Sequence, residues 1–196
     1  QGVTRMGGSI RGLLNVLERI DRVRFSPMVA TSATGQFADE LKRLDVPCFI
    51  VPMGMWRKAR SWPFIPFALR TLRRIVLRTP VHVVHANTLW DHPYAVGAAR
   101  KSGVPILCHI RGRWTADKIR KYCLDRADLL LIVSRALMNG FPPALLSRVR
   151  VVYDGVDLDR FQPKRTGRSV RGELGIGQDQ PVIGMISRLD PLKGQE

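Results

Sequence analysis

Short, continuously apolar, β-prone runs recur along this chain with helix-length segments between them, and that alternation restricts the fold more than any other feature. The runs are Val29-Ala30-Thr31, Cys48-Phe49-Ile50-Val51, Val81-His82-Val83-Val84, Ile106-Leu107-Cys108, Leu129 to Val133, Val149 to Tyr153 and Val182 to Ile186. A strand with one wet face alternates apolar and polar residues. A run without alternation suits a strand covered on both faces, as in a parallel sheet. Parallel neighbours need a crossover, which a helix supplies. The order strand, helix, strand therefore predicts a doubly wound parallel α/β domain.

Residues 9–23 place Ile10, Leu13, Leu14, Leu17 and Ile20 at helical spacing, with Arg11, Glu18, Arg19 and Arg22 on the other side, so one amphipathic helix starts near Gly7-Gly8-Ser9. Further helices are expected at 36–44, 63–78, 93–102, 115–126 and 135–140. A strand should precede Gly7, and the chain stops at Glu196 directly after a strand-like run, so the sequence reads as a piece of a longer protein. From Gln162 to Gln180 the pattern breaks into Pro, Gly, Arg and Gln around a short helix-like turn at Val170 to Leu174. The expected organisation is a domain over 1–161, a linker over 162–180, and the start of a second domain over 181–196.

The net charge of +16 predicts attraction to something anionic: nucleic acid, acidic lipid headgroups or phosphorylated substrates. No helix-turn-helix signature, zinc-ligand spacing or RNP-like aromatic motif accompanies it, so a specific nucleic-acid partner has no sequence support. Cys48, Cys108 and Cys123 are an odd set without C-x-x-C spacing, which reads as buried free thiols and implies a reducing cytoplasm. No apolar run approaches the roughly 18 residues a membrane span requires, and no leader-like segment is visible.

Candidate chemistry sits at the ends of the strand-like runs. Gly7-Gly8 falls between an expected strand and the first helix, where glycine permits close backbone approach and free N–H groups face a phosphate; a tight turn is an equal reading. The pattern is not G-x-G-x-x-G, so a nicotinamide cofactor has no support. His109 closes an apolar run and can present a hydrogen bond to a ligand hydroxyl or to an oxygen carrying developing charge, or can be a satisfied structural histidine. His85 and Asn87 end the preceding run and read as structural or acceptor-lining; Arg111 reads as a contact to an anionic acceptor or a strand-end cap. Arg188 and Lys193 stand beyond the run Val182 to Ile186, where two cations can neutralise a diphosphate leaving group or lie solvated on the surface.

Taken together, Gly-Gly-Ser opening a helix, Val84-His85-Ala86-Asn87, His109-Ile110-Arg111-Gly112, Ala127-Asp128 before an apolar run to Val133-Ser134, Val152 to Asp157 with Phe161 and Pro163, and Ser187-Arg188-Leu189 followed by Lys193-Gly194-Gln195-Glu196 resemble glycosyltransferase family 4. The resemblance implies the GT-B fold: two Rossmann-like domains facing across a cleft, acceptor mainly on the N-terminal one and donor mainly on the C-terminal one. It implies transfer from a nucleotide diphosphate-sugar with retention at the anomeric carbon, without metal or organic cofactor. By position it implies donor-diphosphate binding for Arg188 and Lys193, proximity to the donor phosphates for Gly7 and Gly8, and a sugar-facing role for His109. Asp154 departs from the family's more frequent Asn, and the family's E-x7-E glutamates fall beyond Glu196. A sugar-nucleotide epimerase of the same fold is the rival enzyme, since fold alone does not exclude it.

Between Trp56 and Arg78 the chain carries Trp56, Trp62, Phe64, Phe67 and seven basic residues without one acidic residue, a composition suited to an anionic membrane surface. Ile65, Leu69, Leu72 and Val76 read equally well as an ordinary core stripe. The expectation is a peripheral enzyme at the inner face of the cytoplasmic membrane with a lipid-linked or cell-envelope glycan acceptor, lipopolysaccharide being one such class.

Overall fold

The computed structural model describes residues 6–56, 58–112, 115–162, 170–177, 179–187, 189, 191 and 194–195, and parts into two compact units, Gln1–Asp157 and Leu158–Glu196. In the first unit, helix α1 (Gly8–Arg19) turns Ile10, Leu14 and Leu17 inward. They pack on Val29 of strand β1 (Val29–Thr31), on Phe37 and Leu41 of helix α2 (Gln36–Arg43), and on Val46. The helix stops short of residue 23. The Asp21 carboxylate accepts the N–H groups of Val23 (2.9 Å) and Arg24 (3.4 Å), a local turn that competes with another helical turn, and Arg22 donates to the carbonyls of Leu17 and Leu44.

Strand β1 pairs in parallel with β2 (Cys48–Ile50), and helix α3 (Ile65–Arg78) follows a 3-10 segment at Ala59–Phe64. Four further strands form one parallel sheet in sequence order: β3 (Val84–Ala86), β4 (Ile106–Ile110), β5 (Leu129–Ile132) and β6 (Val149–Val151). Helix α4 (His92–Ala99) links β3 to β4, and α5 (Ala116–Lys121) links β4 to β5. The α/β architecture with parallel sheets is thus the one the alternation of runs predicts. Ile106, Cys108, Ile110, Leu130 and Ile132, on one face of the sheet, are essentially sealed from solvent, while Leu107, Leu129 and Leu131 on the other face are partly buried. No residue of either strand is fully exposed, in keeping with runs that carry no polar alternation.

Several elements differ locally. β3 occupies 84–86 rather than 81–84, because its register is set by Val84 facing Ile106, while Val83 is about half exposed. The expected helix over 115–126 breaks at Cys123, which takes φ +54° before a 3-10 turn at Leu124–Arg126. Tyr122 and Leu124 are both fully buried, and residues two apart lie on different sides of a regular helix, so the left-handed turn is what brings both inward. Residues 135–140 form a 3-10 segment whose start is capped by Ser134, followed by the short helix α6 (Pro143–Leu146). The three cysteines are free, with Cys108 buried and Cys48 and Cys123 partly so.

Packing of α3 on α4 is close. Arg73 Nε donates to the Gly97 carbonyl at 2.6 Å, and a Cβ at Gly97 would stand 2.5 Å from Leu69 Cδ2. The inner face of α3, Ala68, Leu69, Leu72 and Ile75, packs with Val51, Met53, Tyr94 and Trp56, the last meeting the Tyr94 ring edge-on at 5.1 Å.

The second unit holds one short helix, α7 (Val170–Glu173). Val182–Ile186, expected as a strand, is not one here: no strand partner exists in this unit among the described residues, and Ile183 and Ile186 are fully exposed. Backbone in an extended run becomes a strand only when a neighbour takes up its N–H and C=O groups.

Candidate active site at the strand ends

The carboxyl ends of β3, β4 and β6 and the start of α1 converge, the usual ligand position in an open α/β sheet. His109 is the fourth of five residues in β4. The pairing places His85 of β3 opposite Leu107, so His109 is its diagonal neighbour on the same face, and the two imidazoles stack with centroids 5.7 Å apart and planes 27° apart.

Arg111, just past β4, organises this corner. Its Nη1 donates to the Asn87 carbonyl (2.6 Å) and side-chain Oδ1 (3.0 Å), its Nη2 reaches His109 Nδ1 (3.0 Å), and its Nε faces Asp154 Oδ1 at 3.4 Å. Asn87 uses its other end to donate from Nδ2 to the Ser9 carbonyl in the first turn of α1 (3.0 Å). Beyond Asp154 the same segment returns to α1 through an Arg19–Asp157 ion pair at 3.0 Å.

His109 retains only 7% of its surface, and its Nε2 is buried with no hydrogen-bond partner among the described residues. Burial, then the Arg111 charge and the neighbouring His85, lower its pKa to about 4, with Asp154 opposing. His85 is pushed the same way to about 4 by desolvation and by Arg111, but its outer side is open, so water offsets part of that shift. Both rings are therefore neutral at pH 7. Burial also lowers the Arg111 pKa, and Asp154 offsets part of this.

Of the residues singled out in the sequence, the structure gathers His85, Asn87, His109 and Arg111. Asn87 is buried with both ends of its amide engaged, so it ties α1 to β3. Arg111 is likewise committed to internal partners, its side chain 15% exposed. Gly7 precedes α1 in an extended conformation with no side-chain cap, leaving the helix start uncapped, and a Cβ at Gly8 would meet open space. Neither backbone nor packing therefore demands glycine at position 8. Arg188 and Lys193 lie outside the described residues. The participation of Asp154 and of Ser9 was not expected; the one sequence signal was an acid at a strand end in a strongly basic chain. Among the described residues no group of three His, Cys, Asp or Glu is placed to hold a metal ion.

The parallel α/β fold matches solved structures of the GT-B architecture. Anabaena HepE, solved with UDP and glucose, superposes with a TM-score of 0.71 at 20% identity, covering 100% of this chain and 54% of that one. A glycosyltransferase from Rickettsia africae gives 0.69 at 18% identity, covering 97% and 52%. The class is therefore a Rossmann-like domain of GT-B type. Residues 6–160 match the model of Glycosyltransferase Family 4, and the chain belongs to that family. Among curated relatives, the D-inositol 3-phosphate glycosyltransferase of Corynebacterium jeikeium is 34% identical over 119 residues, 55% of this chain and 28% of that protein. The putative glycosyltransferase EpsF of Bacillus subtilis is 25% identical over 207 aligned positions, 95% of this chain and 52% of that protein. The chain thus spans about half or less of these relatives' lengths.

Proposed function

We propose that the protein transfers a sugar from a nucleotide diphosphate-sugar to a glycan or lipid-linked acceptor, with residues 1–161 forming the acceptor-side domain and 181–196 opening the donor-binding domain. The observation that carries this reading is the buried, unpartnered Nε2 of neutral His109 at the carboxyl end of β4, a polar atom for which the fold supplies no internal use. A sugar hydroxyl, or the oxygen bearing developing charge, would satisfy it. The uncapped start of α1 at Gly7-Gly8 leaves backbone N–H groups for donor phosphate, consistent with the UDP carried by the similar HepE structures. Arg188 and Lys193 would neutralise charge on the departing diphosphate, and His85, open to solvent beside His109, would line the acceptor.

Retention at the anomeric carbon and independence from metal belong to the same proposal. So does docking on an anionic membrane. Trp62, Phe64, Phe67 and Leu77 are each 60–72% exposed beside Arg70, Arg74 and Arg78, so the outer face of α3 and the segment before it combine apolar and cationic groups while the inner face serves the core. No helix among the described residues is long and apolar enough to cross a membrane. The test is release of nucleoside diphosphate from a panel of nucleotide sugars by a chain carrying both domains, with and without a membrane lipid extract. Acceptor-dependent release is the expected result; turnover without any acceptor would favour the epimerase.

A further inference from the structure

We propose that Arg111 is a positioning residue which fixes His109 as its Nε2–H tautomer, so that the ring presents a hydrogen-bond donor, and not a base, to the transferred sugar. The assignment deepens the reading of His109 given above and rests on it for the identity of the ligand.

A guanidinium donates at every nitrogen and accepts at none. The Arg111 Nη2 lies 3.0 Å from His109 Nδ1, so Nδ1 must be the bare, accepting nitrogen and the proton of the neutral ring sits on Nε2. An Nδ1–H ring, or an imidazolium, would set one N–H against another. The fork cannot swing away to relieve that conflict. Nη1 is held by both oxygens of Asn87, Asn87 is anchored to the Ser9 carbonyl, and Asp154 faces Nε. His85 from β3 and Asp154 from the segment after β6 are the other titratable groups near the ring.

Helix α1 leaves room for this strut. A Cβ at Gly12 would stand 3.2 Å from Asp154 Oδ1 and 3.4 Å from Arg111 Nη2, so a glycine in the interior of a helix, normally an unfavourable choice, matches the place where the guanidinium and carboxylate press closest. The molecule also holds an internal contrast. Nδ1 of fully buried His92 lies 2.7 Å from the Tyr122 carbonyl, which can only accept, so His92 is the opposite, Nδ1–H tautomer.

The test is long-range proton–nitrogen correlation NMR at pH 7 on the chain labelled with 15N-histidine, with His109 assigned by His109→Gln. The expected wild-type spectrum shows a bare Nδ1 and protonated Nε2 for His109 and the reverse for His92. In Arg111→Met, His109 gains the Nδ1–H form and its titration midpoint rises toward 6.5, while the His92 signals stay in place and report an intact core. Arg111→Lys, which keeps a cationic donor, restores part of the Nε2–H population. Asn87→Ala, the milder change, raises the Nδ1–H fraction without removing the guanidinium. An Nδ1–H or cationic His109 in the wild type overturns the proposal without recourse to any variant, and so does a His109 spectrum indifferent to Arg111→Met or Asn87→Ala. None of these readouts depends on turnover, so failure of the transferase reading and failure of the tautomer assignment are told apart.

Discussion

Acidification should destabilise the first unit through His109 before its carboxylates are exhausted. The folded ring has a pKa of about 4 against 6.5 for a free histidine, so between those values the unfolded chain binds the extra proton. Stability from this group is fully present above pH 6.5 and is lost as pH falls toward 4. The full difference corresponds to about 3 kcal/mol, of which roughly 2 kcal/mol is lost between pH 7.5 and pH 5. The exposure of only 7% means that little of this is given back to solvent. Urea unfolding at the two pH values, followed by near-ultraviolet circular dichroism, measures it. In His109→Gln the amide oxygen can still accept from Arg111 and nothing titrates, so the variant should lose about 2 kcal/mol less than the wild type over the same step. Contributions from His92 and from carboxylates remote from the ring are common to both proteins and cancel in the comparison, and repeating it in a His85→Gln background removes the stacked neighbour. Equal losses would refute the assignment of a depressed, buried His109.

Other sites give independent checks. Leu130 is sealed in the middle of the four-stranded sheet, so Leu130→Ala should cost about 2–5 kcal/mol in the same unfolding measurement. Gly54→Ala should cost about 1–3 kcal/mol in thermal or urea unfolding, because the new Cβ would lie 2.6 Å from Ser61 Oγ and 2.7 Å from Ser61 Cβ, and the Gly54 carbonyl is already held by Tyr94. Replacing Arg70 and Arg74 by Ser should weaken co-sedimentation with acidic-lipid vesicles by about 2 kcal/mol, roughly thirtyfold, with no change for neutral vesicles; binding indifferent to lipid charge would sink the membrane reading.

The parallel sheets were legible because strands with one face sealed and the other at least partly covered leave a mark on local sequence: Ile106 to Ile110 and Leu129 to Ile132 have no fully exposed position to encode. Helix α1 was legible from its apolar spacing, and its early end was not, since Asp21 competes through a turn hydrogen bond that spacing does not describe. The register of β3 depended on its partner β4, a relation between segments about 20 residues apart, and so shifted from the expected 81–84. His85, Asn87, His109 and Arg111 were found as residue types at strand ends. What they do to each other was hidden, because the strut joins positions 9, 87, 109, 111 and 154, brought together only when three strands and one helix align. The second unit shows the converse: Val182 to Ile186 has the composition of a strand but forms none without a neighbour to pair with.

Whether buried His109 faces the transferred sugar is tested most directly by steady-state release of nucleoside diphosphate from a two-domain chain, wild type against His109→Ala. The predicted result is a fall in kcat of about 10²-fold or more with the protein still folded, as expected for removing one preorganised contact to developing charge. An unchanged kcat in a folded His109→Ala variant would contradict it.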